Sequence, residues 1–208
     1  MAQRLNFISR LDDFTQSWIH PDHSDNHATV QLYTTCFGNI NSTGEVGNYE
    51  GEALAPWHPQ FGASLEPGVR DLVLTCVQNL NWITYTSCEG HAYEGSGVYP
   101  VERHVGILPR GDVEYGVIFS LLKKISQKFN RRHLLSPVRI EVERCLLQSE
   151  TCSAPVIDLF LRKKWQATWK SYFRGLSQHS AWLVRQLREA SRSPEFQQGR
   201  SFNSYILE

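Results

Sequence analysis

Glu66-Pro67-Gly68-Val69-Arg70-Asp71-Leu72-Val73-Leu74-Thr75-Cys76-Val77-Gln78-Asn79-Leu80-Asn81-Trp82-Ile83-Thr84-Tyr85-Thr86 passes from a helical pattern to a strand pattern without a break. Pro67 suits the first position of a helix, where its missing N–H costs nothing. Val69, Leu72, Val73, Cys76, Val77 and Leu80 then recur at i, i+3, i+4, i+7, i+8 and i+11, one apolar helical face. Trp82 to Thr86 is β-branched and aromatic, which predicts a strand. Residues 87–100, with Gly90, Gly95, Gly97 and Pro100, read as a loop, and Val101–Leu108 as a second strand.

Downstream, Val113, Val117, Leu121, Leu122, Ile125 and Phe129 mark another helix. Lys123, Lys124, Lys128, Arg131 and Arg132 crowd its C-terminal end, where the helix dipole favours cations. Strands are predicted at Val138–Leu147 and Ala154–Leu161, joined by the polar turn 148–153. A long helix runs from about 164 to 190 with Trp165, Trp169, Tyr172, Phe173, Leu176, Leu183 and Leu187 on its apolar side. The order from 67 onward is αββαββα, which predicts an α+β fold with a mixed or mainly antiparallel sheet and packed helices.

Upstream, residues 3–19 read as a helix through Leu5, Ile8, Leu11, Phe14 and Trp18, and Val30–Tyr33 as a strand. Residues 36–66 read as a long irregular stretch: a lid, a partner-binding loop or a disordered insertion. The expected organisation is one α+β domain over 1–208. In it, 1–65 is appended to a 66–190 core, and 191–208 forms a tail carrying Phe196, Phe202, Tyr205 and Ile206.

Of 208 residues, 41% are hydrophobic and 20% charged, which excludes a disordered or collagen-like chain. Apolar runs such as Val117-Ile118-Phe119 fall far short of the ~20 residues a membrane span needs. No basic leader with an apolar core opens the sequence, so no secretory signal and a cytoplasmic protein are expected. The five cysteines include no C-x-x-C pair, unlike a disulfide framework or zinc ribbon, and Cys76 reads as a core residue. Zero net charge conceals an asymmetry: 1–120 holds 5 Lys+Arg against 14 Asp+Glu, and 121–208 holds 16 against 7. Such a split suits either two mutually attracted halves or a basic face for an outside partner.

The segment Thr84-Tyr85-Thr86-Ser87-Cys88-Glu89-Gly90-His91 delivers a hydroxyl, a thiol, a carboxylate and an imidazole where a strand runs into a turn. Gly90 permits the tight or positive-φ geometry such a turn needs. A thiol near an imidazolium becomes a better nucleophile or metal ligand. Polar groups at a strand end also suit a phosphate or carboxylate.

From Val69-Arg70-Asp71-Leu72-Val73 through Asn79-Leu80-Asn81 to Thr84–His91, the chain resembles the wybutosine-synthesizing TYW3/Taw3 family. In that family a helix ending near an Asn feeds a strand that leads into a Ser-Ser-Cys-Ser-Gly-Arg signature. His104–Leu108, the 113–129 helix, Ile140-Glu141-Val142-Glu143-Arg144 and the long last helix follow a similar order. The resemblance spans about residues 66–190, with its specific part near Thr84–His91. It implies a S-adenosylmethionine-dependent methyltransferase acting on a guanosine of tRNA. Ser87, Cys88 and Gly90 match the signature, Glu89 replaces a Ser, and His91 stands in place of the Arg. On this reading Cys88, Glu89 and His91 are catalytic residues, with Glu89 or His91 as the base, and Ser87, Gly90 and His104 hold the cofactor.

Lys123, Lys124, Lys128, Arg131, Arg132 and the run Arg162-Lys163-Lys164 are the candidates for RNA phosphates, with Trp165 and Trp169 placed for base stacking. Only one of Arg103 and His104 should face inward on their strand. His20, Asp22, His23, Asp25 and His27 crowd one loop but read as an ordinary connection, so no metal site is expected. P-loop, Rossmann and G-x-S-x-G signatures are absent. Three readings stay open. The first is a protein binding a nucleotide-like ligand or RNA base, with methyl transfer. The second is a non-catalytic accessory subunit of a bacterial defence or stress system, holding a partner through 36–66 and the aromatic tail. The third is a nucleophilic enzyme using Cys88 with His91 or His104.

Overall fold

The computed structural model describes residues 5–8, 11–19, 29–32, 39–40, 46–47, 49–52, 55–57, 61–92 and 100–193. In chain order the elements are β1 (Leu5–Phe7), α1 (Leu11–Ile19), β2 (Thr29–Leu32), β3 (Asn39–Ile40), β4 (Val46–Gly47), β5 (Tyr49–Glu52), α2 (Phe61–Ser64) and α3 (Pro67–Leu74). There follow β6 (Ile83–Cys88), β7 (Arg103–Leu108), α4 (Asp112–Arg132), β8 (Val138–Gln148), β9 (Ser153–Lys163) and α5 (Trp169–Ser191). A π-helical turn, Thr75–Asn79, extends α3. The αββαββα order and the α+β class are as the periodicities predict.

The main sheet has the order β1-β8-β9-β7-β6, with β8, β9, β7 and β6 antiparallel neighbours and β1 parallel to β8 at the far edge. Because β9 is inserted between β7 and β8, α4 is the crossover of a split β-α-β unit. β6 therefore forms an edge, and its C-terminal end meets the start of β7 and the N-terminus of α3.

Strand alternation sorts the sheet into two faces. Val105, Ile107, Ile140, Val142, Leu159 and Leu161 face a core shared with Val69, Leu72 and Val73 of α3, Leu122 and Phe129 of α4 and Tyr172, Leu183 and Leu187 of α5. Burying a side chain of this size contributes about 1.5–3 kcal/mol, so these helices are held mainly by their apolar stripes. On the opposite face His104, Phe160 and Glu141 form one cross-strand row. There the Arg162 guanidinium lies 3.7 Å above the Phe160 ring and reaches Glu102 at 2.7 Å, Glu143 at 2.5 Å and Glu141 at 3.3 Å.

Several expectations are corrected. Residues 5–7 form a strand on β8 rather than the start of a helix, although Ile8, Leu11, Phe14 and Trp18 are buried as the stripe requires. The 36–66 stretch is not irregular throughout: it contains β3, β4, β5 and α2, and the Trp57 indole donates to the Ser17 carbonyl at 2.7 Å. Val113 and Val117 stand exposed on the first turns of α4, because the core begins only at Ile118. Trp165 is 85% exposed, since β9 ends at Lys163 and α5 starts only at Trp169, which leaves Trp165 in the turn between them. Among the described residues, no helix is long and apolar enough to cross a membrane.

Candidate functional site

β6 carries the Ser87-Cys88 pair as strand residues, not as the start of a loop. Ser87 faces Val105 on the helix-covered side, and Cys88 faces His104 on the other. Beyond Cys88 the chain turns through Gly90 at φ 85°, the left-handed region that glycine enters without strain. A Cβ there would meet the Arg103 nitrogen at 3.0 Å and the Val101 carbonyl at 3.1 Å, so the turn also needs the space. Reciprocal His91–Val101 backbone hydrogen bonds, both 2.9 Å, then pin the strands together.

The N-terminus of α3 clasps this turn. Glu66 Oε2 accepts from the Glu89 amide at 2.7 Å, while Glu89 Oε2 accepts from the Gly68 amide at 2.6 Å. The second bond places a carboxylate at a helix N-terminus, where orphan amides and the dipole both favour it. Glu66 Oε1 also lies 2.8 Å from His91 Nε2. The His91 ring is in turn hydrogen-bonded to Cys88, whose sulfur accepts from the Gly90 amide at 3.4 Å. Thiol, imidazole and carboxylate thus form one chain, half-buried at the sheet edge.

Electrostatics follow this geometry. The Cys88 and Glu66 hydrogen bonds hold the His91 imidazolium and push its pKa up to about 10 against the opposing effect of burial. Burial acts to raise the Glu66 carboxyl, but the His91 and Glu89 hydrogen bonds and the charges of His91 and His104 outweigh it and leave it lowered. Among the other described cysteines, burial raises the Cys76 thiol to about 12, Cys145 is buried and Cys152 is exposed.

Arg103 supports the turn from beneath and is only 5% exposed. Its Nε donates to the Glu89 carbonyl at 2.8 Å, and its amide donates to the Tyr172 hydroxyl at 2.9 Å. The Tyr172 hydroxyl in turn donates to the Leu161 carbonyl at 2.7 Å, which ties α5 to β7 and β9 together. Gly68 lies close below it: a Cβ would come within 2.6 Å of Arg103 Nη2 and 2.8 Å of Glu89 Oε2, so those side-chain ends would have to shift.

Cys88 and His91 come together as predicted, and the missing third member is Glu66, not Glu89. The Glu89 carboxylate is spent on the Gly68 amide. Glu66 carries no signal in sequence: it stands just before Pro67, far along the chain from His91, and only the packing of α3 on β6 unites them. Ser87 points to the helix-covered face and Gly90 is pressed against β7, while His104 pairs with Cys88, acts on the Glu66 charge and packs beside Phe160 with ring centroids 5.3 Å apart. Of the Arg103/His104 pair the arginine is the inward one, because it carries the turn.

The expected RNA contacts divide. Lys123, Lys124, Arg131 and Arg132 are exposed on α4, and exposed Lys128 bonds Gln186 of α5. Arg162 is enclosed by three carboxylates, so its charge is already matched. Lys163 Nζ donates to the Lys164 and Ala167 carbonyls, and Lys164 Nζ to those of His133 and Leu134. His20, Asp22, His23, Asp25, His27, His58 and the aromatic tail lie outside the described residues.

Glu66, Cys88 and His91 each offer one ligand atom, all within 4.8 Å of one another, a donor set that suits zinc with an open position. The sequence leads to no metal site here, although the thiol beside an imidazole is a possible ligand pair; the third donor, Glu66, is supplied by the N-cap of α3. Set against known proteins, the chain matches no family model, no curated protein and no solved structure.

Proposed function

We propose that this protein is a thiol-dependent enzyme in which Cys88 is the nucleophile, His91 the proton carrier and Glu66 the residue that holds the imidazolium. The Cys88–His91–Glu66 chain carries the reading, with Nε2 of the ring 2.8 Å from the carboxylate. In acyl transfer, the Cys88 thiolate forms a bond to the carbonyl carbon of the substrate. As the bond to the leaving group breaks, His91 gives that group its proton, and a thioester remains. Water then loses a proton to His91 and attacks the thioester. The C–S bond breaks, which restores the thiolate and the imidazolium and frees the acid.

The test is alkylation by iodoacetamide, read cysteine by cysteine by peptide mass spectrometry, with exposed Cys152 and buried Cys76 as internal standards. Cys88 is expected to react faster than Cys152 at neutral pH and Cys76 to stay intact. Equal rates for Cys88 and Cys152 would overturn the proposal. An extra mass in native mass spectrometry that a chelator removes would instead reassign the three residues as a zinc site.

A second reading, RNA binding, is favoured by exposed Trp165, which lines a groove of about 690 Å³ with Lys164, Arg139 and Gln166. Quenching of its fluorescence by a single-stranded oligoribonucleotide tests it. Methyl transfer rests on the resemblance of the Ser87–Gly90 signature. Transfer of a labelled methyl group to bulk tRNA, lost in Cys88→Ser, is its test.

A further inference from the structure

Behind the thiol site, a cleft of about 710 Å³ separates the N-terminus of α3 from the C-terminal turns of α5. Its α5 wall is one helical face. Ser177, Ser180 and Ala181 leave the space, and Arg185, Arg188 and Arg192 follow at the same spacing. The α3 wall is Pro67, Gly68 and Asp71, and Arg103 lies between the walls. The four arginines face two carboxylates, Asp71 and Glu189, and Glu189 is engaged by the Gln186 amide at 2.7 Å. The cleft therefore carries an excess of positive charge.

The helix dipole accounts for arginines near the end of α5. It does not account for Arg103, which comes from the start of β7 and lines the cleft between its two walls. Its Nε is used by the Glu89 carbonyl, and its Nη2 lies against Gly68 on the α3 wall. A guanidinium presents its donors in a planar fork, and an oxyanion bound in the cleft would take them bidentately. The amides at the start of α3 are already used, Gly68 by Glu89 and Val69 and Arg70 by the Glu66 carbonyl, so the anion's contacts fall to the arginines.

We propose that this cleft binds the phosphate moiety of a phosphorylated small molecule, with Arg103 at the floor and Arg185, Arg188 and Arg192 on the wall. The volume exceeds what a phosphate fills and matches a ligand with a nucleoside-sized body. Pro67, Ala181 and Val184 provide the apolar contact for that body. Because Arg103 also holds the Glu89 carbonyl, an occupied cleft would brace the turn that presents Cys88 and His91. The binding itself does not depend on thiol chemistry.

Calorimetric titration of the full chain with inorganic pyrophosphate and, separately, with ADP tests this. Both are expected to bind one to one, and Arg188→Ala/Arg192→Ala to weaken them at least tenfold. The paired control, Arg131→Ala/Arg132→Ala on α4, should leave the affinity unchanged. Tighter binding of ADP than of pyrophosphate assigns the body of the ligand to a nucleoside, and equal binding assigns recognition to the diphosphate alone. Absence of binding for both at millimolar concentration overturns the proposal, as does an equal loss in the α4 control, which would mean general attraction of polyanions. Both double variants change exposed residues, so a folding failure does not confound the result.

Discussion

Two charge clusters sit on either side of β7. Around Arg162, three carboxylates surround one guanidinium stacked on Phe160. Around His91, one carboxylate and one thiol flank an imidazole, with Arg103 close by. Burial works to lower the Arg162 pKa, but the hydrogen bonds it donates to Glu102 and Glu143 raise it overall, so the group holds its charge throughout the physiological range. The His91 cluster instead contains a group that can gain and lose a proton, beside a nucleophile that solvent reaches. A concentration of charge is thus no sign of chemistry by itself; a change of state beside a reactive atom is.

The sharpest way to break this contrast is to exchange the effects of the two clusters. His91→Gln should slow Cys88 alkylation at neutral pH by about 100-fold, within the range of a lost acid–base group, with peptide mass spectrometry as the readout. Arg162→Met should leave that rate unchanged. It should instead lower stability in urea by roughly 2–3 kcal/mol, because three carboxylates lose their counter-charge while solvent still reaches them. If Arg162→Met slowed alkylation as His91→Gln does, the clusters would be one site.

Tyr172→Phe should cost about 1–2 kcal/mol, since the Arg103 amide and the Leu161 carbonyl each lose a partner inside the core. Denaturant unfolding measures it. The clusters should also separate by pH. His91 is raised from 6.5 to about 10, so its stabilising contribution is complete below 6.5 and fades as pH rises towards 10. Glu66 is lowered from 4.5, so its contribution is complete above that value and fades as pH falls through its folded pKa. Wild-type minus His91→Gln stability should therefore be greatest between about pH 4.5 and 6.5 and decline above, whereas the contribution of Arg162 should stay level across neutral pH. The smallest effect is expected from Trp165→Ala, within about 0.5 kcal/mol of wild type because the ring is exposed. If it also binds an oligoribonucleotide as wild type does, the stacking reading fails.

The strand and helix periods were readable because each element buries one face, and the residues on that face must recur at 2 or 3.6. The misreadings come from places where that link is broken. Val113 and Val117 follow the helical period but precede the point where α4 reaches the sheet. Leu5 continued the pattern of α1, yet pairing with Leu146 of β8 draws it into a strand. Cys88 and His91 were evident because a single turn holds them. Glu66 and Arg103 were not, because their chemistry depends on partners more than ten residues away.

Local sequence therefore sufficed for the element order, the α+β class and the thiol–imidazole pair, since propensity, periodicity and a glycine turn act between near neighbours in the chain. The assignment of Glu66 rather than Glu89 to His91, the burial of Arg103 and the capture of Arg162 by three carboxylates arose only when α3, β6, β7, β9 and α5 packed together. Hydrogen bonds and charges act over a few ångströms of space, and distance along the chain does not report which groups folding brings that close.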